Sequence, residues 1–432
     1  MKESKSTIIR SVLTAIRKLP RVLKFYIIIA LIAPLLSGSS PWLISIGNHY
    51  YFPAFGTSAY FTYEYRGKEI SDLKVNTAWK KLPADFAVYP LVRYDAGKSD
   101  LLNSNYISPL DQQYGFDKDG MKIDLPVLER HWLGTGRTGN DLLAGLISGT
   151  RTSLLIGFLS ILIASLIGIF LGTLAAFGSD SGLKIARWKL IASALLIVPA
   201  WFYAFTVNGS GLRDAFHSNA IWGMTLLLSL LCFFFVIVLL PILIRSSSRK
   251  QNFFTKPITV SLDFWIMRFT EIFVSLPRLI LILTFAAIAH SSITLIILII
   301  GFTSWTEFAR ITRAEVLKLK SSEFILAARA GGSSFSGILV RHLFPNILPV
   351  LSVYIVYGVA SAILVETGLS FLGVGVPAGT ETWGSLMFEA RENFTAWWMV
   401  IFPGAALSLL TITLNNYGRR LSTKNSGNSF PS

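Results

Sequence analysis

Eight stretches of this chain are apolar for about the 20 residues a helix needs to cross a hydrocarbon core, and that limits the fold before any motif is read. They lie near residues 25–46, 152–177, 190–207, 221–244, 265–289, 292–309, 349–370 and 396–416. Pro34 and Pro41 interrupt the first, Pro199 interrupts the third, and the sixth is short and runs into Glu307. Proline is tolerated in such helices where neighbours satisfy the freed carbonyl. Composition agrees, with 52% hydrophobic and 15% charged residues against roughly 25% charged in an average soluble domain. The expectation is an all-α polytopic membrane bundle of about eight transmembrane helices.

The charges between the stretches orient the bundle. Residues 1–24 carry a net charge of +6, 178–189 carry +2, 245–263 carry +3, 310–347 carry +4 and the tail beyond 416 carries +3. Residues 48–151 hold twelve basic and twelve acidic side chains, 208–220 are neutral, and 371–395 come to −2. With eight alternating spans every basic segment falls on one side, so both termini are expected in the cytoplasm of a multi-pass membrane protein. The total of +15 is therefore topological, and no nucleic-acid partner is expected; the surrounding lipid is the partner it implies. The first stretch has a second reading. Residues 25–36 resemble a short signal core, and Ser37-Gly38-Ser39-Ser40 a small-residue cleavage region. A 24-residue leader is long, and apolar character resumes at Pro41-Trp42-Leu43-Ile44, so retention as a span is expected. The single Cys232 excludes an intrachain disulfide.

Between the spans, residues 48–130 form the largest polar segment, and Tyr60-Phe61-Thr62-Tyr63-Glu64-Tyr65 alternates as a strand does. A small extracytoplasmic loop or lobe is expected there, and a disordered tail over 422–432. No internal repeat is visible.

Catalytic templates come up short. Gly97-Lys98-Ser99 resembles the end of a phosphate loop, but the position of its first Gly is Val92. The histidines at 49, 131, 217, 290 and 342 lack metal-ligand spacing, so no metal site is expected. Gly145/Gly149 and Gly168/Gly172 fit the close-packing spacing of membrane helices. Intramembrane charges are costly and default to functional roles. Arg268 and Glu271 share a helix face and can pair locally. Glu366 sits near the outer end of its span, where interfacial anchoring and a cavity-lining role are both open.

Residues 310–347 are the informative loop. They hold six basic and two acidic residues around Glu323-Phe324-Ile325-Leu326-Ala327-Ala328-Arg329-Ala330-Gly331-Gly332, followed by Arg341-His342-Leu343-Phe344-Pro345-Asn346. A small-residue helix over about 322–337 can sit deep in another protein's groove. Gly331-Gly332 can end a helix through a left-handed cap, and Pro345 is read as restarting structure at the next span.

These residues resemble the "EAA…G…I-LP" loop of binding-protein-dependent ABC importer permeases, and the chain resembles the C-type subunit of the oligopeptide/dipeptide/nickel branch. His131-Trp132-Leu133-Gly134-Thr135 with Gly139 and Asp141, and Gly149-Thr150-Arg151-Thr152-Ser153-Leu154, resemble its HWLGTD…GRD and GaRiSL segments. Arg268-Phe269-Thr270-Glu271 with Ser275-Leu276-Pro277 resembles mR..D…siP. Glu366-Thr367-Gly368-Leu369-Ser370-Phe371-Leu372-Gly373 and Thr382-Trp383-Gly384 resemble EaaLSFLG and sWG. The likeness covers about 131–178, the start of a permease core, and 263–421, its remainder. Residues 179–262 are an insertion with two further spans. The signature's acidic residue is here Leu326, the Leu of its LP is Phe344, and Gly136 and Asn140 replace Asp and Arg of the GTD…GRD segment.

The resemblance implies a type I-like permease bundle without catalysis of its own. Its partners would be a second permease subunit, two ATP-binding cassette subunits carrying ATP and Mg, and an extracytoplasmic substrate-binding protein; the chain itself binds no cofactor. The cargo class implied is dipeptide, oligopeptide or nickel chelate. Leu326, Ala327, Ala328, Gly332, His342 and Pro345 would couple to the ATPase, and Glu271, Pro277 and Glu366 are candidates for the translocation path. Two rivals differ in class. One is an ion-coupled secondary transporter using Glu271, Glu307 or Glu366, and the other is a membrane enzyme or sensor.

Overall fold

The computed structural model describes residues 19–46, 49–51, 64–65, 68–69, 85–116, 121–179, 182–186, 202, 257–288, 291–334 and 337–427. The expected spans at 190–207 and 221–244 lie outside these residues apart from Phe202, as do Cys232, residues 1–18 and most of 52–84. The chain forms two compact units, Met1–Gly172 with Thr270–Ser432, and Thr173–Phe269.

In the first unit, α1 (Arg21–Leu36) starts after Pro20. Its 16 residues rise only about 24 Å at 1.5 Å each. The expected span 25–46 is thus corrected: the helix stops at Leu36, and Leu43–Ile46 is a strand between His49–Tyr51 and Phe86–Val88, antiparallel to both. The reason is local. Pro34 cannot donate to the ladder, and beyond Ser37 the backbone is taken up by the polar segment. Gly38 N–H donates to Val92 O at 3.1 Å and Ser39 N–H to Asp95 Oδ1 at 2.9 Å. Of the alternating run at 60–65, Glu64–Tyr65 is described, and it pairs with Lys68–Glu69.

Long helices follow. α2 (Leu142–Gly178, 37 residues) begins ten residues before the expected span. Asp141 starts it, accepting from Ala144 N–H at 2.6 Å, the bond an N-cap carboxylate makes. The stretch 265–289 is not one straight helix. α3 (Leu262–Ser275) and α4 (Arg278–Ile288) bend by 80° at Leu276-Pro277, because proline removes a donor and clashes with the preceding turn. α5 (Ile293–Lys320) is capped by Ser292, which accepts from Leu295 N–H. It continues through Arg310, Arg313, Glu315 and Lys318, so charge alone does not end it, and the loop expected over 310–347 is shorter.

A short helix, α6 (Glu323–Ala330), replaces the helix expected over 322–337. A π turn, Ile338–Leu343, then runs straight into α7 (Phe344–Phe371). Pro345 therefore does not restart structure but sits in the first turn of α7, where a missing N–H is tolerated. α8 (Trp383–Glu389) and α9 (Trp398–Gly427) complete the unit.

Among the described residues, α2, α5, the π turn with α7, and α9 are long and apolar enough to cross a membrane, and the bent α3–α4 pair can supply a fifth crossing. Their core packs Ile156, Ile161 and Ala164 of α2 against Ile296, Ile300 and Phe308 of α5 and Ala362 of α7. Both glycine pairs serve close approach. A Cβ on Gly168 would stand 2.6 Å from Trp305 O, and one on Gly172 2.9 Å from Thr312 Cβ, so α2 and α5 nearly touch backbones. A Cβ on Gly149 would stand 3.2 Å from the Thr382 backbone and the Trp383 ring, a tight fit but looser than the α2–α5 seam.

The second unit pairs Gly182–Ala186 antiparallel with Pro257–Ser261, in the register Gly182↔Ser261.

Candidate functional site

The loop residues singled out by sequence converge on α6 and the π turn. An eight-residue helix is marginal alone, so packing must hold it, and Ile325 is its one fully buried side chain. Glu323 in the first turn and Arg329 in the last suit the helix dipole. Its end is a Schellman motif: Ser333 N–H donates to Ala328 O at 3.1 Å and Gly332 N–H to Arg329 O at 3.0 Å, with Gly332 at φ +79°. No atom lies within 4 Å of a Cβ built there, so backbone conformation alone demands the glycine. Phe324 and Leu326 stand about half exposed at 44% and 52%. Ala327 is exposed and Ala328 half-buried. In the π turn, Phe344 N–H reaches back to Leu339 O, and Asn346 Nδ2 donates to the His342 carbonyl at 2.6 Å. His342 is half-buried and Pro345 exposed. The result is a braced helix presenting an apolar outer face.

Glu366 lies elsewhere, with no exposed surface. Ser370 Oγ donates to its Oε1 at 2.8 Å and Ser153 Oγ to its Oε2 at 3.2 Å. α8 closes the pocket through a reciprocal cap, Ser385 N–H to Thr382 Oγ1 and Thr382 N–H to Ser385 Oγ. Trp383 donates to Leu146 O and takes the Tyr26 ring edge-on at 5.8 Å. Three motif segments far apart in sequence thus form one joint of α2, α7 and α8, with the carboxylate as its shared acceptor. Sequence reasoning named Glu366 and missed Ser153, whose only signal was its place in the Gly149 to Leu154 run. Glu271 and Pro277 are exposed on α3 and at its bend; Glu366's hydrogen bonds run to Ser153 and Ser370 instead.

A further cluster was not foreseen. His131, fully buried, sits between Asp141 (Nδ1 to Oδ2, 2.8 Å) and Asp100 (Nε2 to Oδ2, 3.3 Å) and stacks on Tyr94 at 3.9 Å. Burial opposes its charge, but hydrogen bonds to the two carboxylates outweigh that and hold the imidazole above its ordinary value. Asp100 feels burial first as well, yet bonds from His131 and Asn103 hold it below the usual carboxylate value. Because Asp141 also starts α2, the cluster ties the segment at residue 100 to that helix. No group of three or more His, Cys, Asp and Glu residues placed to hold a metal occurs among the described residues.

Residues 258–424 match the family described as binding-protein-dependent transport system inner membrane component. A Brucella ovis protein named "putative peptide permease protein" is 34% identical over 230 residues, 52% of this chain and 73% of its own length. A Brucella suis protein of the same description is 28% identical over 307 residues, 70% of this chain and 74% of its own. The oligopeptide transport system permease protein OppC of Escherichia coli is 38% identical over 157 residues, 36% of this chain and 52% of its own. With the α2, α5 and α7 packing and the braced loop helix, these matches make the conclusion plain: the chain belongs to the binding-protein-dependent inner membrane components, the permease subunits of ABC importers.

Proposed function

We infer that this chain is one of two permease subunits lining the path of an ATP-driven importer of peptides. The observation that carries the reading is α6, which turns Phe324, Leu326 and Ala327 outward while its end is fixed by Gly332. A helix braced in this way transmits a push from a bound partner to α5 and the π turn that flank it. Two ATP-binding cassette subunits would dock there and hold ATP and Mg, and an extracytoplasmic binding protein would deliver cargo at the other face. The names of the relatives favour peptides over nickel chelates. Both chain termini are placed in the cytoplasm of an inner-membrane protein, on the charge distribution given above.

Allosteric coupling needs one two-state element sensed at both faces, and the helices joined at α6 supply it. Leu326 in place of an acidic residue leaves the docking face more apolar, which suits a dedicated ATPase partner. The test is copurification of the complex and uptake in proteoliposomes. ATP-dependent uptake that survives an uncoupler supports the reading. Gradient-driven, ATP-independent uptake that is lost in Glu366→Gln would sink it in favour of an ion-coupled carrier.

A further inference from the structure

One cavity lies between α5 and α7, and its polar side chains are half-buried or exposed rather than enclosed. It measures about 140 Å³ and is lined by Glu307 and Phe308 of α5 and Tyr354, Tyr357, Gly358 and Ser361 of α7, among others. Tyr357 and Ser361 are one helical turn apart and share a face with Tyr354. Gly358, lacking a side chain, lets the Phe308 ring close the back wall, 3.3 Å from where a Cβ would be. The volume is about ten times the 10–15 Å³ that one water requires.

Its polar groups lack partners. No hydrogen bond within the described residues reaches Tyr354 Oη, Tyr357 Oη or Ser361 Oγ. The Glu307 side chain is 60% exposed and meets one cation, Arg278, at 3.9 Å. That guanidinium is turned toward Ser304, donating to its Oγ at 2.6 Å. The carboxylate, about 21 Å along a membrane helix at 1.5 Å per residue, is thus weakly neutralised. Such a charge is retained where it faces water or a ligand rather than lipid. An anion would be repelled, and a purely apolar guest would leave four acceptors empty. A carboxylate in a cavity lined by two tyrosines suits an ammonium, which charge pairing and cation–π attraction both favour.

We propose that this cavity is a cargo contact for a primary ammonium, the free amino terminus of a peptide, with Glu307 as counter-ion and the Tyr354 and Tyr357 rings as walls. The proposal rests on the reading of the chain as a peptide permease and adds where and by what chemistry the cargo is held.

The test uses the assembled importer in proteoliposomes, with Cys232→Ser and a reporter at Ser361→Cys. Modification by a trimethylammonium methanethiosulfonate is compared with that by a sulfonate one, each corrected for its reactivity with a free thiol. The cationic reagent should react about 10-fold faster, and Glu307→Gln should bring the two within about 2-fold, because local charge sets counter-ion concentration. Trialanine delivered by the binding protein should slow the cationic reaction, and N-acetyl-trialanine should not. Equal rates with Glu307 intact overturn the proposal, and so does slow reaction with both reagents, which would place a partner helix over the cavity. Equal protection by N-acetyl-Ala-Lys-Ala would overturn the assignment to the amino terminus. The charge preference needs no ATP. Absence of ATP-dependent uptake from a mixed peptide pool, with that preference intact, would therefore count against the transport reading and not against the cavity.

Discussion

The joint around Glu366 and the surface of α6 are both built from motif residues, yet they are opposite in kind. At the joint, a carboxylate with no exposed surface receives two serine hydroxyls, and glycine lets α8 lie against α2. On α6, one buried isoleucine holds a helix whose Phe324, Leu326 and Ala327 side chains are exposed. A motif residue whose bonds close within the chain maintains shape. A motif residue left open has its apolar surface free of contacts within the chain. The α2–α5 seam is closed in the same way as the joint.

Substitutions can break that division. The largest effect is expected at the seam. Gly172→Leu drives a side chain into Thr312 and the α5 backbone, beyond the 1–3 kcal/mol usual for overpacking, so folded protein should vanish from detergent extracts. At the joint, Glu366→Leu strands the Ser153 and Ser370 hydroxyls at about 1–3 kcal/mol each, lowering the melting temperature in detergent. Glu366→Gln keeps an acceptor and shape, and should retain both stability and ATP-dependent uptake. If Leu and Gln behave alike, the joint is not held by hydrogen bonds to this residue.

The open surface should respond differently. Ala327→Trp, at an exposed position, should leave insertion and melting unchanged while copurified ATPase falls about tenfold, equivalent to about 1.4 kcal/mol. Normal ATPase recovery and uptake would remove α6 as the docking element. Gly332→Ala meets no neighbour, so only the cost of φ +79° applies, about 1–2 kcal/mol, read as a small loss of coupling rather than of folded protein.

The His131 cluster gives the mildest test, through pH. Its imidazole titrates higher in the folded chain than the ordinary 6.5. The stabilisation is therefore complete below 6.5 and is lost as pH rises through the folded value. Hydrogen exchange over residues 85–141, corrected for intrinsic rates, should show loosening in that window, and His131→Gln should flatten the difference. Glu381, pushed up to about 7 by burial and by Glu389, acts in the same direction between 4.5 and 7, so Glu381→Gln is the control that separates the two. An unchanged profile in His131→Gln would detach the histidine from the stability of that segment.

Much of this was legible because it is periodic or local. Apolar length marked α2, α5, α7 and α9, and Gly331-Gly332 marked the end of α6. Where reading failed, the cause was a neighbour absent from the window. Apolar count alone carried the first stretch to residue 46, but Asp95 and Val92 capture Ser39 and Gly38 and turn the chain. Charge count alone stopped α5 early, although its last turns remain helical with Arg310 and Lys318 exposed and Lys320 buried.

What the sequence by itself determined is the class of molecule: apolar runs of spanning length, and motifs whose order matches a permease. These follow from transfer free energies and backbone preferences, which act residue by residue. What only the tertiary structure decided is the company each functional residue keeps. Glu366 and Glu307 are both acids within apolar helices. One is enclosed by Ser153 from a helix 213 residues away and the other opens into a cavity with two tyrosines. Which acid is satisfied depends on helix packing, where side chains from distant segments meet at hydrogen-bond distance, and that geometry is not contained in either local sequence.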